Sequence, residues 1–118
     1  MAYDRDNIFA KILRGALPCE TVFENEHVLA FRDIQPRKPV HVLVIPRGAW
    51  RNVGDFAAGA SEAEIAGFIR AIGEVAQQLG LTGPGYRVIM NIGEHGGQEV
   101  DHLHAHILGG APVGAMVV

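Results

Sequence analysis

The sequence has a single cysteine, Cys19, which excludes an internal disulfide and suits a reducing compartment such as the cytoplasm. No apolar run approaches the length of about 18 residues that a transmembrane helix needs, so no membrane association is expected. Basic residues are not in excess, because the formal net charge is −3. General nucleic-acid binding requires a basic surface, so nucleic acid is not expected as a partner.

The N-terminus has no apolar stretch of the kind that marks a secretory signal peptide, and no internal repeat or linker is present. A length of 118 residues predicts one domain spanning 1–118. Such a chain buries roughly two-thirds of its unfolded surface, which is enough for a hydrophobic core.

Two helices are predicted. Apolar residues at helical spacing indicate a short helix over 8–13, with Asp6 as its N-cap. Ser61 and Glu64 form a capping box that opens a long amphipathic helix, and Gly80 fits the position just after its end.

The strand patterns predict an antiparallel sheet. Residues 21–24 and 28–33 indicate a hairpin, and 40–46 is an apolar central strand. Residues 86–91 and 100–108 predict two further strands. Together with the helices this is an α+β fold, in which one short and one long helix pack on about five strands.

The most informative segment is the last predicted strand, where His102, His104 and His106 alternate with apolar residues. Alternation is the strand period, so the three imidazoles are expected on one face, each about 6.7 Å from the next. The other face is expected to be core, and it comprises Leu103, Ala105 and Ile107.

Three interpretations of this histidine row are open. Zinc could be held by two neighbouring histidines, although a third would not reach the same ion without a bend. The row could be a solvated polar face. The interpretation we favour divides the chemistry, so that one imidazole attacks while its neighbours supply protons and hydrogen bonds, because the ordinary imidazole pKa lies near neutrality. It assigns no metal and requires no cofactor, and any zinc at the histidines would be adventitious.

A glycine-rich segment from Asn91 to Gln98 leads into the row. Glycines allow backbone N–H groups to turn toward an anion, and the two amide side chains add donors. This arrangement predicts a phosphate-binding loop beside the histidines.

The segment GGQEVDHLHAHILGG, residues 96–110, resembles the signature of the histidine triad (HIT) superfamily. Its Leu-Gly-Gly ending is typical of the branch of histidine triad nucleotide-binding proteins. The dinucleoside polyphosphate hydrolase branch usually has Leu-Pro-Arg there, and the uridylyltransferase branch replaces the third histidine with glutamine. The resemblance spans nearly the whole chain, and it implies a HIT-like fold and a homodimer.

The resemblance implies hydrolysis of purine nucleoside phosphoramidates, such as adenylated amines, with release of the nucleoside monophosphate. His104 would attack phosphorus and form a nucleotidyl-histidine intermediate. His106 and Gln98 would hold the phosphoryl oxygens, and His102 and His41 would support the proton network. The alternatives are a purine nucleotide-binding module with little catalysis and a dinucleoside polyphosphate hydrolase.

The resemblance also implies a purine nucleotide site, in which Asp33 matches the aspartate that accepts hydrogen bonds from the ribose hydroxyls. The expected ligands are purine nucleoside monophosphates and their phosphoramidates. The other residues expected at the nucleotide are Ile8, Phe9, Ile12, Phe31, Ile34, Asn91, Gly97, Gln98, Glu99, Val100, His104 and His106.

Overall fold

The structure, a computed structural model, describes residues 2–116 and has a five-stranded antiparallel sheet with three helices. The strands are β1 Thr21–Glu24, β2 Val28–Arg32, β3 Val40–Pro46, β4 Arg87–Ile89 and β5 Ala105–Gly109. The strand order is β1-β2-β3-β5-β4, which confirms the predicted fold class.

The first helix, α1, is Ile8–Leu13. Its N-cap is Asn7, whose side-chain oxygen accepts from the Ala10 N–H at 2.8 Å, so the prediction of Asp6 as the cap is wrong by one residue. Asp6 instead donates its own N–H to the side chain of Asp4, in the turn that precedes the helix.

The other helices are α2, Val53–Gly59, and α3, Glu62–Gln78. The predicted capping box of Ser61 and Glu64 is present at the start of α3. The sequence analysis did not predict α2, because seven residues with four alanines or glycines carry little apolar periodicity. No helix within residues 2–116 is long and apolar enough to cross a membrane.

The two faces of the sheet bury different clusters. The larger cluster includes buried residues of α3 and the predicted core residues Leu103, Ala105 and Ile107, which are at most 1% exposed. The smaller cluster includes Phe9 of α1 and, from the sheet, Leu29, Phe31, Leu43 and Ile45. Because side chains alternate along a strand, α1 and α3 cover opposite faces, and the histidines at even positions lie on the α1 face.

Strand β5 begins at Ala105, later than the sequence predicts. Before it, the backbone bonds to the segment that follows β3, since the Leu103 N–H donates to the Trp50 carbonyl at 2.8 Å. These hydrogen bonds replace the sheet ladder, so His102 and His104 lie just ahead of the strand.

Candidate active site

A cavity of about 360 Å³ opens on the α1 face. We call it the site cavity, and a large share of the predicted site residues line it. Its predicted members are Phe9, Asp33, His41, Asn91, Gly97, Glu99, Val100, His104 and His106, and its further members are Gln35, Arg37, Leu43, Ile89 and Leu108.

His104 is held in one tautomer. Its Nδ1–H donates to the main-chain oxygen of His102 at 2.7 Å, so the neutral ring keeps the lone pair on Nε2. Burial lowers the pKa of His104, against smaller raising effects from that hydrogen bond and from Asp33 and Glu99. The Phe9 ring packs edge-on against the imidazole, with centroids 4.9 Å apart. A neutral imidazole with a free lone pair is a nucleophile.

His41 and His106 form a directed hydrogen-bond chain. The backbone N–H of Arg37 donates to His41 Nδ1 at 3.1 Å, so the proton of the neutral His41 ring is on Nε2. That Nε2–H donates to His106 Nδ1 at 2.9 Å. His106 therefore carries its own proton on Nε2. Its ring lies next to that of His104, with centroids 5.0 Å apart.

Both rings of this chain are neutral near pH 7. Burial, together with the smaller effects of the neighbouring histidines, lowers the pKa of His106 to about 4. Burial also lowers the pKa of His41, while Asp33 opposes that effect. The site therefore offers a lone pair on His104 and an N–H donor on His106.

His102 lies on the same face as the other two histidines, with its ring centroid 6.4 Å from that of Phe9, but it is not part of the site cavity. The His102 ring is fully buried. Its Nε2–H donates to the Pro46 carbonyl at 2.9 Å, and its Nδ1 faces the Tyr3 hydroxyl. Alternation is kept although the chain leaves the sheet before Ala105, because Leu103 is buried in the α3 cluster while His102 packs against Phe9. His102 thus acts on His104 through its main-chain oxygen.

Asp33 lies beside the pair formed by His41 and His106. Its Oδ1 accepts from the Gln35 N–H at 2.8 Å, which fixes the carboxylate. Its Oδ2 lies 3.5 Å from His41 Nε2, and the side chain remains 21% exposed. A fixed, accessible carboxylate can accept hydrogen bonds from a diol.

The glycine-rich loop is organised differently from the prediction. Gln98 was expected to donate to a phosphoryl group, but its Nε2 donates to the carbonyls of Arg51 and Val100, at 2.7 and 2.9 Å. The backbone N–H groups of Gly97 and Gln98 donate within the loop, to Glu94 and Gly93. The Gln98 side chain therefore stabilises the loop. Donors to a phosphoryl group must come from the residues that line the site cavity.

Besides Gln98, four residues expected at the nucleotide do not line the site cavity. Phe31 is buried beneath Phe9, with ring centroids 5.6 Å apart, and Ile12 packs on the same cluster. Ile8 is 53% exposed and Ile34 is 94% exposed. Within the described residues, these two isoleucines contribute apolar surface outside the site cavity.

Some lining residues were missed although the sequence carried a signal for them. Leu43 and Leu108 are two residues from His41 and His106 on their strands, so alternation places them on the same face. Arg37 and Gln35 lie in the loop between β2 and β3, for which no sequence pattern gives a position. Tyr3 contacts His102 across 99 positions, and no local signal could have found it.

One group of side chains has the composition of a metal site. Ligand atoms of Asp33, His41 and His106 all lie within 4.8 Å of one another. However, a metal-bound histidine normally donates its other ring N–H to an acceptor. His41 Nδ1 faces the N–H of Arg37 instead, which keeps the proton on Nε2, where the metal would bind. The donor set therefore fits a hydrogen-bond chain better than zinc.

Acid is expected to destabilise the fold through these histidines. Burial lowers the pKa of His102 from 6.5 to about 4, so the unfolded chain takes up protons that the folded chain refuses. The free energy of unfolding is therefore unaffected by His102 above pH 6.5 and decreases as the pH falls toward 4. The decrease due to His102 amounts to about 3 kcal/mol.

Urea unfolding between pH 7 and pH 4.5 measures this effect. His102→Gln should make the free energy of unfolding less dependent on pH, and His95→Gln, which changes an exposed loop histidine, should leave the slope unchanged. Equal slopes in His102→Gln and the unmodified protein would refute the assignment.

The sequence profile of the HIT domain matches residues 14–113, and the chain belongs to the HIT family. Solved structures agree. A HIT family hydrolase from Clostridium thermocellum is 39% identical, covers 98% of this chain and 99% of its own, and has a TM-score of 0.87. A histidine triad protein from Clostridium difficile is 37% identical, covers 97% and 98%, and has a TM-score of 0.86.

Among curated relatives, the purine nucleoside phosphoramidase of Escherichia coli strain K12 is 43% identical over 112 residues, which is 95% of this chain and 93% of the relative. An uncharacterized HIT-like protein of Azospirillum brasilense is 55% identical over 115 residues, or 98% and 94% of the two chains. These relatives and the hydrolase neighbours support a nucleotide hydrolase of the HIT family.

Proposed function

We propose that this protein hydrolyses purine nucleoside phosphoramidates, and that it releases a nucleoside monophosphate and an amine. One observation carries the proposal: a lone pair on His104 Nε2 and a proton on His106 Nε2 share one cavity. That combination suits displacement at phosphorus, which needs a nucleophile beside a donor. The relationship to a purine nucleoside phosphoramidase supports the same reaction class.

In the first step, His104 Nε2 forms a bond to the α-phosphorus and the phosphorus–nitrogen bond breaks. The imidazole becomes cationic as this bond forms. The main-chain oxygen of His102, 2.7 Å from His104 Nδ1, stabilises that charge by accepting a stronger hydrogen bond. The product of this step is a nucleotidyl-histidine.

The departing amine needs a proton, and we assign that role to His106. Its Nε2–H is on the side of the ring away from His41, and its Nδ1 accepts from His41 Nε2–H. The step takes place with one proton more on this pair than in its neutral state, and Asp33, 3.5 Å from His41 Nε2, stabilises that positive charge. His106 gives its Nε2 proton to the amine nitrogen and is left as a neutral ring.

In the second step, water attacks the phosphorus of the nucleotidyl-histidine and His104 leaves as a neutral imidazole. The chain of His106 and His41 accepts the proton that the water gives up, which restores the starting state. The balance is one phosphoramidate and one water converted to one nucleoside monophosphate and one amine. The chemistry uses side chains and water and requires no cofactor.

We place the purine nucleoside between Phe9 and Asp33. Phe9 offers an apolar ring within the site cavity, and the Asp33 carboxylate offers acceptors to the ribose hydroxyls. Asn91, Gly97, Glu99 and Val100 would line the nucleotide from the glycine-rich loop. Ile8, Ile12, Phe31 and Ile34 remain proposed as apolar residues that support or flank this pocket.

Asp33→Ala is expected to weaken adenosine monophosphate binding by about tenfold, because a hydrogen bond to a charged group contributes about 1.5 kcal/mol. The loss should be smaller for 2′-deoxyadenosine monophosphate, which offers one hydroxyl fewer. Calorimetric titration of both nucleotides measures the difference. Asp6→Ala, at an exposed carboxylate near α1, is the control. Equal losses of affinity for both nucleotides would refute the proposed contact between Asp33 and the ribose.

We further propose a homodimer that forms through the edge of the sheet and the C-terminal tail. Tyr86 and Val88 lie on or beside the edge strand β4 and are each more than a third exposed. Met116 in the tail is 85% exposed, and Arg87 holds the tail by donating to the carbonyls of Gly114 and Ala115. Residues 117 and 118 of the predicted tail lie outside the described residues.

Light scattering at micromolar concentration should give twice the mass of one chain, because apolar side chains on an edge strand favour pairing. Val88→Lys should shift the mass toward that of one chain, while Ile69→Lys, at an exposed position of α3, should not. A single-chain mass for the unmodified protein would contradict the dimer.

We propose a cytoplasmic location and small-molecule partners. Cys19 is a free thiol, which suits a reducing compartment. The net charge of −3 gives no support for nucleic acid as a partner, and no membrane partner is proposed.

A further inference from the structure

The N-terminal segment places a tyrosine against the buried histidine of the triad. The Tyr3 hydroxyl oxygen lies 2.5 Å from His102 Nδ1, although 99 positions separate the two residues. The two rings meet edge to face, with centroids 5.6 Å apart and an interplanar angle of 68°. Nothing in the proposed reaction uses Tyr3, so this contact calls for a separate account.

The direction of the hydrogen bond follows from the other side of the ring. The Pro46 carbonyl can only accept, so His102 Nε2 carries a proton. Burial lowers the pKa of His102 to about 4, so the ring is neutral and has no second proton. Nδ1 is therefore an acceptor, and the Tyr3 O–H donates to it. The hydroxyl satisfies a buried nitrogen that water cannot reach.

We propose that Tyr3 is a positioning residue for the reaction at His104. Tyr3 and Pro46 hold the His102 ring at both nitrogens. The main-chain oxygen of the same residue holds His104 Nδ1–H at 2.7 Å. Fixing the ring restricts rotation of the peptide unit that orients the nucleophile. The chain of contacts thus runs from the Tyr3 hydroxyl, through His102, to the lone pair on His104.

This role predicts where the kinetic effect falls. Attack on phosphorus depends steeply on the alignment of the nucleophile, so a looser His104 lowers the rate of the chemical step. Tyr3 does not line the site cavity, and neither do its partners His102 and Pro46. Substrate binding at Phe9 and Asp33 should therefore be little changed. The hydroxyl should affect kcat and leave KM nearly constant.

Tyr3→Phe tests the inference, and Tyr86→Phe is a matched control because the chain has only two tyrosines. Tyr86 borders a separate hollow formed with the C-terminal segment. With an adenylated amine as substrate, Tyr3→Phe should lower kcat about three- to tenfold and change KM less than about twofold, as expected for one lost hydrogen bond that orients the nucleophile. Tyr86→Phe should match the unmodified protein.

Nitrogen-15 spectra of the histidine rings give a second measurement that simple destabilisation would not move. In Tyr3→Phe the His102 Nδ1 resonance should move downfield, because a lone pair without a donor is less shielded. The His104 Nδ1–H resonance should also shift. Unchanged kcat, a loss carried by KM, or an unshifted His102 Nδ1 would each overturn the inference.

The inference rests on the proposed hydrolysis, and the two can fail separately. If the unmodified protein does not turn over any phosphoramidate, the proposed function is refuted. The ring spectra alone then decide the role of Tyr3, since they require no turnover. If the unmodified protein is active and Tyr3→Phe is equally active, the proposed function stands and the positioning role does not.

Discussion

Replacing His104 with alanine is expected to lower kcat for an adenylated amine by at least about 10⁴-fold, as loss of a covalent nucleophile generally does. The residual rate would come from the remaining donors acting on direct attack by water. Binding of adenosine monophosphate should survive within a few fold, because Phe9 and Asp33 are unchanged. Stopped-flow kinetics and calorimetric titration measure the two quantities.

Two further variants sharpen this result. His104→Gly leaves room for added imidazole, which should restore part of the turnover in proportion to its concentration. His95→Ala removes an exposed loop histidine and should have no effect on kcat. If His104→Ala kept a tenth or more of the activity, the nucleophile would have to be another residue.

Replacing His106 with alanine is expected to lower kcat by about 10²- to 10⁴-fold, which is the usual size of a general-acid contribution. The loss should depend on the amine. An alkylamine leaves only with a proton and should suffer most, whereas an arylamine of low basicity needs less assistance. Single-turnover rates across a series of amines measure that dependence.

His41 provides the matched test of the hydrogen-bond chain. His41→Ala should reduce kcat less than His106→Ala, because His41 acts through His106 Nδ1. The double variant should be no slower than His106→Ala alone, since the two residues act as one unit. Additive losses, or a loss from His106→Ala that is the same for every amine, would contradict this assignment.

The sheet and the core were predictable because strand alternation is a strong constraint. Leu103, Ala105 and Ile107 had to share a face, and all three are buried under α3 as predicted. The same rule placed His104 and His106 together on the opposite face. The capping box at Ser61 was also predictable from the sequence. The N-cap of α1 was harder to predict, because Asp6 and Asn7 can both cap a helix and Asn7 is the one that does.

The parts that could not be predicted depend on contacts between distant segments. Alternation places His102 on the same face as His104, but hydrogen bonds to Pro46 and Trp50 hold this part of the chain outside the sheet, and the His102 ring is buried away from the site cavity. The amide side chain of Gln98 suggested a donor to phosphate, but its N–H groups donate to the carbonyls of Arg51 and Val100 instead. Residue type indicates what a group can bond to, and only the tertiary fold determines which partner it meets.

Mass spectrometry of a reaction quenched with alkali tests the central claim most directly. During turnover of an adenylated amine, a share of the protein should carry one nucleotidyl group, and peptide mapping under conditions that preserve the phosphorus–nitrogen bond should place it on His104. His104→Ala should carry none, and exhaustive chelation should change neither the adduct nor the rate. An adduct on His102 or His106, or activity that chelation removes and zinc restores, would contradict the account.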